Sequence, residues 1–460
     1  MKTIVRIIAL SSVFLPYLVS CSRQQAEDSA FLQERGLTGQ IQSIEAKTYE
    51  GRIDGKGQFE RVKYSGEYGP SKVLLTFDKK SNPISLTEYD TNGRTISTTT
   101  YVYEKNLLKS VSISGDQGEE TISYEYQDGK LVKKVFKGYY DDQIEYKYDN
   151  GVLEESEQQN MSNSKLLGNE YGVVKYSNPV PYLLRREHVY RFDENNDFPI
   201  HIGLFSTDGR PLAMCSTFGG KQYVNLDYNE EGFCSWIHGQ FVDVFDLVDE
   251  RSMNNKYNFS YEYEYDEVGN WVRRIGYAQD DQIMVITERT ITYFKKGKRG
   301  SKKPSVSSTL AEIDRSIDEA VSSSLDFFVD GLSESGYRGW DTHTSINQIL
   351  REQRYREIQQ GDYNYYETKA TECSLGQIKE SFQLDEFEEI RSYTLLISPS
   401  QSFNMFIPRI IDRVSQTIKD KLKVEGWSDI VQGREVDYFG AFALSSFDGL
   451  IWIYYFPKAN

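Results

Sequence analysis

The chain is 460 residues long, enough for two or three domains with full-sized cores. Lys and Arg total 53 against 69 Asp and Glu, a formal net charge of −16, and 14% of the residues are aromatic. So aromatic a chain argues against disorder, and so acidic a chain argues against binding a phosphate backbone over a broad surface. A mean hydropathy of −0.58 leaves room for one strongly apolar segment, at the extreme N-terminus, which argues against a multi-span membrane protein.

That segment is an address. Lys2 and Arg6 precede an apolar run from Ile7 to Val19, interrupted by Pro16 and shorter than the roughly 20 residues a bilayer crossing needs. The ending Leu18-Val19-Ser20-Cys21 resembles the bacterial lipobox at all four positions. The resemblance implies that Cys21 is diacylated, that the chain is cut just before it, and that the new N-terminus is acylated. Each buried methylene contributes about 0.8 kcal/mol, so several chains on one residue hold a protein at a membrane. Ser22 in place of Asp looks like outer-membrane sorting, and Gln25-Ala26-Glu27-Asp28 is similar to the acidic tract of surface-exposed Bacteroidetes lipoproteins. Loss of Lys2 and Arg6 takes the net charge from −16 to −18, which repels the folded body from anionic headgroups. The reading is a signal peptide over residues 1–20 and a tether over 21–45.

Residues 46–294 read as one repeat-built β domain. Of the 34 Tyr, 24 lie between Tyr49 and Tyr293. Aromatic-acid-turn units recur: Phe77-Asp78, Tyr89-Asp90-Thr91-Asn92-Gly93, Tyr126-Gln127-Asp128-Gly129, Tyr148-Asp149-Asn150-Gly151, Tyr228-Asn229-Glu230-Glu231-Gly232 and Tyr265-Asp266-Glu267-Val268-Gly269. Spacings of 12 residues from Phe77 to Tyr89 and 14 from Tyr89 to Tyr103 suit one strand plus one turn. Between the turns, Ile122, Tyr124 and Tyr126 alternate with Ser123 and Glu125, as Tyr261, Tyr263 and Tyr265 do with Glu262 and Glu264. Period two with one wet face predicts antiparallel strands.

These units resemble the YD repeats of RHS-type bacterial surface and toxin-delivery proteins, over roughly residues 60–294. There are fewer units than an RHS shell needs, so what the resemblance implies here is an open, twisted β-meander rather than an enclosed cargo. The tyrosines are expected to pack the sheet first. A row of Tyr also stacks on sugar rings or peptide, which makes Tyr124, Tyr126, Tyr261, Tyr263 and Tyr265 the ligand-binding candidates.

Lys295 to Pro304 carries six positive charges in ten residues and reads as a solvated linker. Beyond it, residues 305–460 predict a smaller α+β domain. Thr309-Leu310-Ala311-Glu312 reads as a capping box opening a helix along Leu310, Ile313, Ile317, Val321, Leu325 and Phe328. A second helix follows from Phe406 through Ile410, Val414 and Ile418 to Leu422, with Pro408 in its first turn and Gly426 as its stop. Shorter helices are expected around Ile346 to Ile358 and Ser374 to Phe382, and a strand at Glu389 to Ile397. Phe439 to Leu444 and Leu450 to Phe456 read as a hairpin turned at Asp448-Gly449.

Cofactor and metal chemistry are not visible. His188, His201, His238 and His343 stand without ligand-type partners at useful spacing. Asp193-x-Asn195-x-Asp197 begins like a calcium loop but has Phe198 where Gly belongs. Cys215 and Cys234 fall on strands separated by one, about 9–10 Å apart, beyond disulfide reach, so free buried thiols are expected. The only catalytic candidates are His343 and Cys373, a conceivable Cys–His pair. The favoured reading is a lipid-anchored, non-enzymatic scaffold or binding module of the cell envelope, attached to the outer membrane through its lipid. Its partners would be an envelope protein or polysaccharide, not nucleic acid. One alternative is an envelope carrier wrapping an apolar ligand in a curved sheet. Another is a hydrolase or toxin-like activity in residues 305–460.

Overall fold

The computed structural model describes residues 37–456 apart from internal stretches, the longest being 161–170, 240–258 and 338–354. The signal segment and Cys21 lie outside the described residues. The fold is mainly β. It divides into two units, one formed by residues 1–217 and 226–309, the other by 218–225 and 310–460.

The first unit is an antiparallel meander, and its turns explain the repeat. In four of them a side-chain oxygen accepts the backbone N–H four residues on. Asn82 donates to Asp78 Oδ1 at 2.9 Å, Arg94 to Asp90 at 2.8 Å, Phe233 to Asn229 at 2.9 Å and Asn270 to Asp266 at 2.9 Å. The acid's own N–H returns to the carbonyl of that fourth residue. The residue just before it is left-handed each time: Ser81, Gly93, Gly232 and Gly269, with φ of 71°, 80°, 85° and 90°. An acid or amide to satisfy the turn and a Gly three residues later are what this loop requires. Two-residue turns at Lys105-Asn106 and Asp128-Gly129 take positive φ at both positions, as tight hairpins do. Asp193 pairs directly with Asn196 across two neighbouring antiparallel strands.

The tyrosines latch neighbouring strands. Tyr148 donates its hydroxyl to the Leu131 carbonyl at 2.9 Å, Tyr228 to Pro211 at 2.6 Å and Tyr263 to Cys234 at 2.6 Å. Each ring thus packs half-buried against the sheet while its polar end stays bonded.

Register carries one apolar face across the strands. Ile44 lies opposite Leu75, Leu75 opposite Leu86 and Leu86 opposite Thr99. Tyr101 then lies opposite Val111, Val111 opposite Ile122 and Ile122 opposite Phe136. Leu37, Ile41, Ile44, Leu75 and Phe77 bury together, as do Leu108, Val111, Ile122, Tyr124, Leu131, Phe136, Ile144, Tyr146 and Leu153. The opposite face carries ion pairs such as Lys147 with Glu155 at 2.8 Å and Arg273 with Glu264 at 2.5 Å.

Strand order brings the chain back on itself. The strand Gln40–Ile53 pairs on one side with Lys72–Phe77 and on the other with Met284–Lys295. Both of its edges are therefore covered, which removes a site of edge-to-edge aggregation. It begins at Gln40, so residues 40–45 of the expected tether belong to the sheet.

Among the described residues, the second unit packs two helices, α1 (Ser305–Gly331, in this unit from Leu310) and α2 (Ile407–Leu422), with an antiparallel sheet. Along the sheet the strands run Tyr355–Gln360, Tyr363–Thr368, Gly376–Leu384, Ile390–Pro399, Leu450–Tyr455, Phe442–Phe447, Arg434–Phe439 and Trp427–Val431. The α1 stripe is buried from Leu310 to Phe328 as the spacing requires. Phe328 meets Phe442 edge-on at 6.2 Å. Two ion pairs join the helices, Arg409 to Asp314 at 2.9 Å and Arg413 to Asp318 at 2.8 Å. At the start of α2, where Phe406 offers no side-chain cap, the Asn225 carboxamide accepts the Arg409 N–H at 3.2 Å and donates to the Met405 carbonyl at 2.9 Å. A free first-turn N–H is thus capped from a distant part of the sequence.

Five expectations are corrected. Ser374 to Phe382 is no helix: Gly376–Leu384 is a strand registered against Ile390–Pro399. Its inward positions include Glu380, whose buried carboxylate accepts hydroxyls from Tyr393 at 2.8 Å and Tyr355 at 3.1 Å. A charge at an inward position disguises the alternation. Of Ile346 to Ile358, residues 346–354 lie outside the described residues, and Tyr355–Gln360 is a strand. Helix α1 starts at Ser305 rather than Thr309, because Val306 extends the buried stripe by one turn. Helix α2 stops before Gly426, at Lys423, which adopts the left-handed conformation itself. The closing hairpin is Phe442–Phe447 with Leu450–Tyr455; Phe439 ends the strand before it.

Candidate binding site

The tyrosines singled out by pattern fall into two places in the first unit. Tyr124 is core. Its ring stands 4.9 Å from the Lys134 ammonium, which lies 5.9 Å from Tyr146. Tyr126 packs half-buried against the same cluster. Tyr261, Tyr263 and Tyr265 form a half-buried row with ring centres 6.5 and 6.2 Å apart. Trp271 stands edge-on to Tyr263 at 6.0 Å. The Arg289 guanidinium lies 3.3 Å above the Trp271 ring centre, and Arg274 lies 5.4 Å from both Trp271 and Tyr261.

These contacts are largely structural. Tyr263 holds the Cys234 carbonyl, the Asn229 amide donates to Tyr265 at 2.7 Å, and the Tyr261 ring covers Gly276, where a Cβ would come within 3.0 Å of it. Burial pushes the Tyr263 hydroxyl up and the Cys234 thiol to about 12, so neither ionises at neutral pH. Cys215 and Cys234 form no disulfide and are buried, and Cys373 is half-buried at the end of the strand Thr371–Cys373. His343 lies outside the described residues. Among the described residues no group of three or more His, Cys, Asp or Glu is placed to hold a metal, and no helix is long and apolar enough to cross a membrane.

A third aromatic row, on the sheet of the second unit, escapes the sequence reading. Along Leu450–Tyr455 the inward positions Ile451, Ile453 and Tyr455 are buried. The alternate positions Trp452 and Tyr454, continued by Phe456, stack on the other face. Their ring centres are 6.1 and 6.2 Å apart, with planes 7° and 16° from parallel. Phe456 is 48% exposed. Trp452 lies opposite Leu396 and Ser445, and Tyr454 opposite Thr394 and Ala443. At the Phe456 end an open surface depression is lined by Phe456, Gln383, Arg391 and Ser392. An uninterrupted apolar run reads as buried strand, so only the aromatic residues at every second position could have signalled this face.

No family model matches the chain, and a search of curated proteins returned no match. Among solved structures it is similar to a porin-like protein of Bacteroides uniformis, at 12% identity and a TM-score of 0.21, covering 55% of this chain and 98% of that one. A LolA-superfamily protein of Nitrosomonas europaea follows at 7% identity and a TM-score of 0.14, covering 59% and 94%. A DUF1329 family protein of Desulfovibrio piger matches at 7% identity and a TM-score of 0.12, covering 60% and 93%. Similarities this low assign neither a fold nor a function.

Proposed function

We propose that this protein is a non-enzymatic binding module of the bacterial cell envelope, lipid-anchored through Cys21 to the outer membrane. In this reading the latched meander is the scaffold, and the second unit presents the ligand-binding face. The observation that carries it is the stacked aromatic row Trp452–Tyr454–Phe456, which ends at an open surface depression with a polar lining. Aromatic side chains on one sheet face, with hydrogen-bonding groups at the rim, make a recognition surface rather than a reaction centre.

Two measurements test this. Cys21→Ala is expected to block signal processing and move the chain out of the membrane fraction. Pull-down from intact cells, repeated with Phe456→Ala, is expected to lose captured envelope material. Unchanged processing and fractionation of Cys21→Ala, or identical capture by Phe456→Ala, would refute the corresponding half of the proposal.

A second reading, a carrier of an apolar ligand, draws on the apolar face that runs from Ile44 to Tyr146. It calls for an acyl lipid retained by the purified chain in native mass spectrometry.

A further inference from the structure

We infer that the end of the first unit from which the lipid tether leaves also docks directly on anionic phospholipid headgroups. The inference rests on reading Cys21 as the anchor, and it names the surface that meets the bilayer.

Antiparallel register places the groups concerned. The strand Gln40–Ile53 begins where two neighbours finish, with Gln40 opposite Lys295 and Ser43 opposite Thr76. A Cβ on Gly39 would stand 3.1 Å from the Gly297 nitrogen. The chain thus enters the sheet beside the segment that carries six cations in ten residues, Lys295 to Pro304. The turn after Phe77 and the turn at Lys105-Asn106 lie at the same end, where Lys80 Nζ donates to Asn106 Oδ1 at 2.6 Å. Lys79, Lys80, Lys105, Lys295 and Lys296 are exposed there. Ile84, Val102 and Phe294 are exposed too, each no more than two residues from that end of its strand. Of the acids beside these lysines, Asp78 is bonded to its own turn and Glu267 to Lys296, while Glu104 faces solvent. From Gly297 the sequence continues with Lys298, Arg299, Lys302 and Lys303, which lie outside the described residues.

Charge complementarity selects the partner. The chain as a whole carries −16, but physiological salt limits each charge to about 8 Å. A leaflet approaching this end meets its lysines before the acids elsewhere. Lysines set among exposed aromatic and aliphatic side chains suit an interfacial surface. The 18 residues from Cys21 to Gly39 reach at most about 65 Å, which holds this end, ahead of the opposite one, near the leaflet that keeps the lipid.

The test is vesicle flotation of the mature chain carrying Cys21→Ser, so that no acyl chain contributes. It is expected to float with phosphatidylcholine vesicles holding one-third phosphatidylglycerol at about 0.1 M salt, to be released at about 1 M, and to ignore phosphatidylcholine alone. Lys79→Ser, Lys80→Ser and Lys296→Ser together are expected to weaken binding about a hundredfold. Arg94→Ser with Lys137→Ser, exposed at the opposite end of the strands, should bind like the parent. No binding to the anionic vesicles, or equal binding by the triple variant and the parent, would overturn the inference. If Cys21→Ala leaves fractionation in cells unchanged while the lysine-dependent flotation is seen, the anchor reading falls and this surface stands.

Discussion

Thr38 and Asn270, 232 residues apart, clasp each other backbone to carboxamide. The Thr38 N–H donates to Asn270 Oδ1 at 2.5 Å, and Asn270 Nδ2 donates to the Thr38 carbonyl at 2.7 Å. The Thr38 hydroxyl also reaches the Val268 carbonyl at 2.8 Å. Asn270 is fully buried and ends the Asp266 turn, so one residue closes a hairpin and secures the chain just before the first strand. Tyr293 joins the cluster, accepting from Asn270 at 2.7 Å and donating to Asp266.

Asn270→Ala leaves the Thr38 N–H and carbonyl without these partners in a part-buried setting. A loss of about 2–3 kcal/mol is expected, read as a lower urea midpoint at unchanged slope. A cost under about 0.5 kcal/mol would mean that the clasp contributes nothing.

Lys134 is 2% exposed on the apolar face, between Tyr124 and Tyr146. Burial holds its pKa well below the ordinary 10.5. Between the folded value and 10.5 the unfolded chain binds more protons, so this residue's contribution makes stability rise with pH. Lys134→Met is expected to stabilise the protein by about 1 kcal/mol at neutral pH. It should also flatten the alkaline slope in chemical denaturation, and an unchanged slope would assign that slope to other groups.

Two glycines separate conformational strain from steric clash. Gly129 has a φ of +77° and open space where a Cβ would go, whereas Gly376 has a φ of +145° and a Cβ there would lie 2.2 Å from the Ser398 carbonyl oxygen. Gly129→Ala is expected to cost about 1 kcal/mol, and Gly376→Ala about 2–4 kcal/mol. Thermal melts of the two variants should fall in that order, and the reverse order would contradict the strand pairing at Gly376.

Glu367 accepts from Arg356 Nε at 3.1 Å and pairs with Lys379. Burial raises its carboxyl pKa, but hydrogen bonds from Lys379 and Arg356 outweigh this, and the net shift is below 4.5. A depressed carboxylate contributes stability that is present above the unfolded value and lost as pH falls through the folded one. Glu367→Gln is expected to cost about 2 kcal/mol near neutrality and much less in acid. An equal deficit at both pH values would rule out the ion cluster as its source.

Turn chemistry was the most legible part of the chain. Asp90 and Gly93, or Asp266 and Gly269, announce their loops because acid, spacing and positive φ are all local requirements. Cys215 and Cys234 could be kept apart by counting strands. Glu380 shows where legibility stops: it reads as a solvent-facing charge, yet two tyrosine hydroxyls brought from other strands make burial affordable.

Composition and local pattern alone determined the mainly β class, the repeat spacing and the two amphipathic helices, since each depends on neighbours within a few residues. The packing of the Gln40 strand between Lys72–Phe77 and Met284–Lys295, and the face shown by Trp452, Tyr454 and Phe456, came only from tertiary structure. An apolar strand has two possible buried faces, and which one is covered depends on where the helices pack.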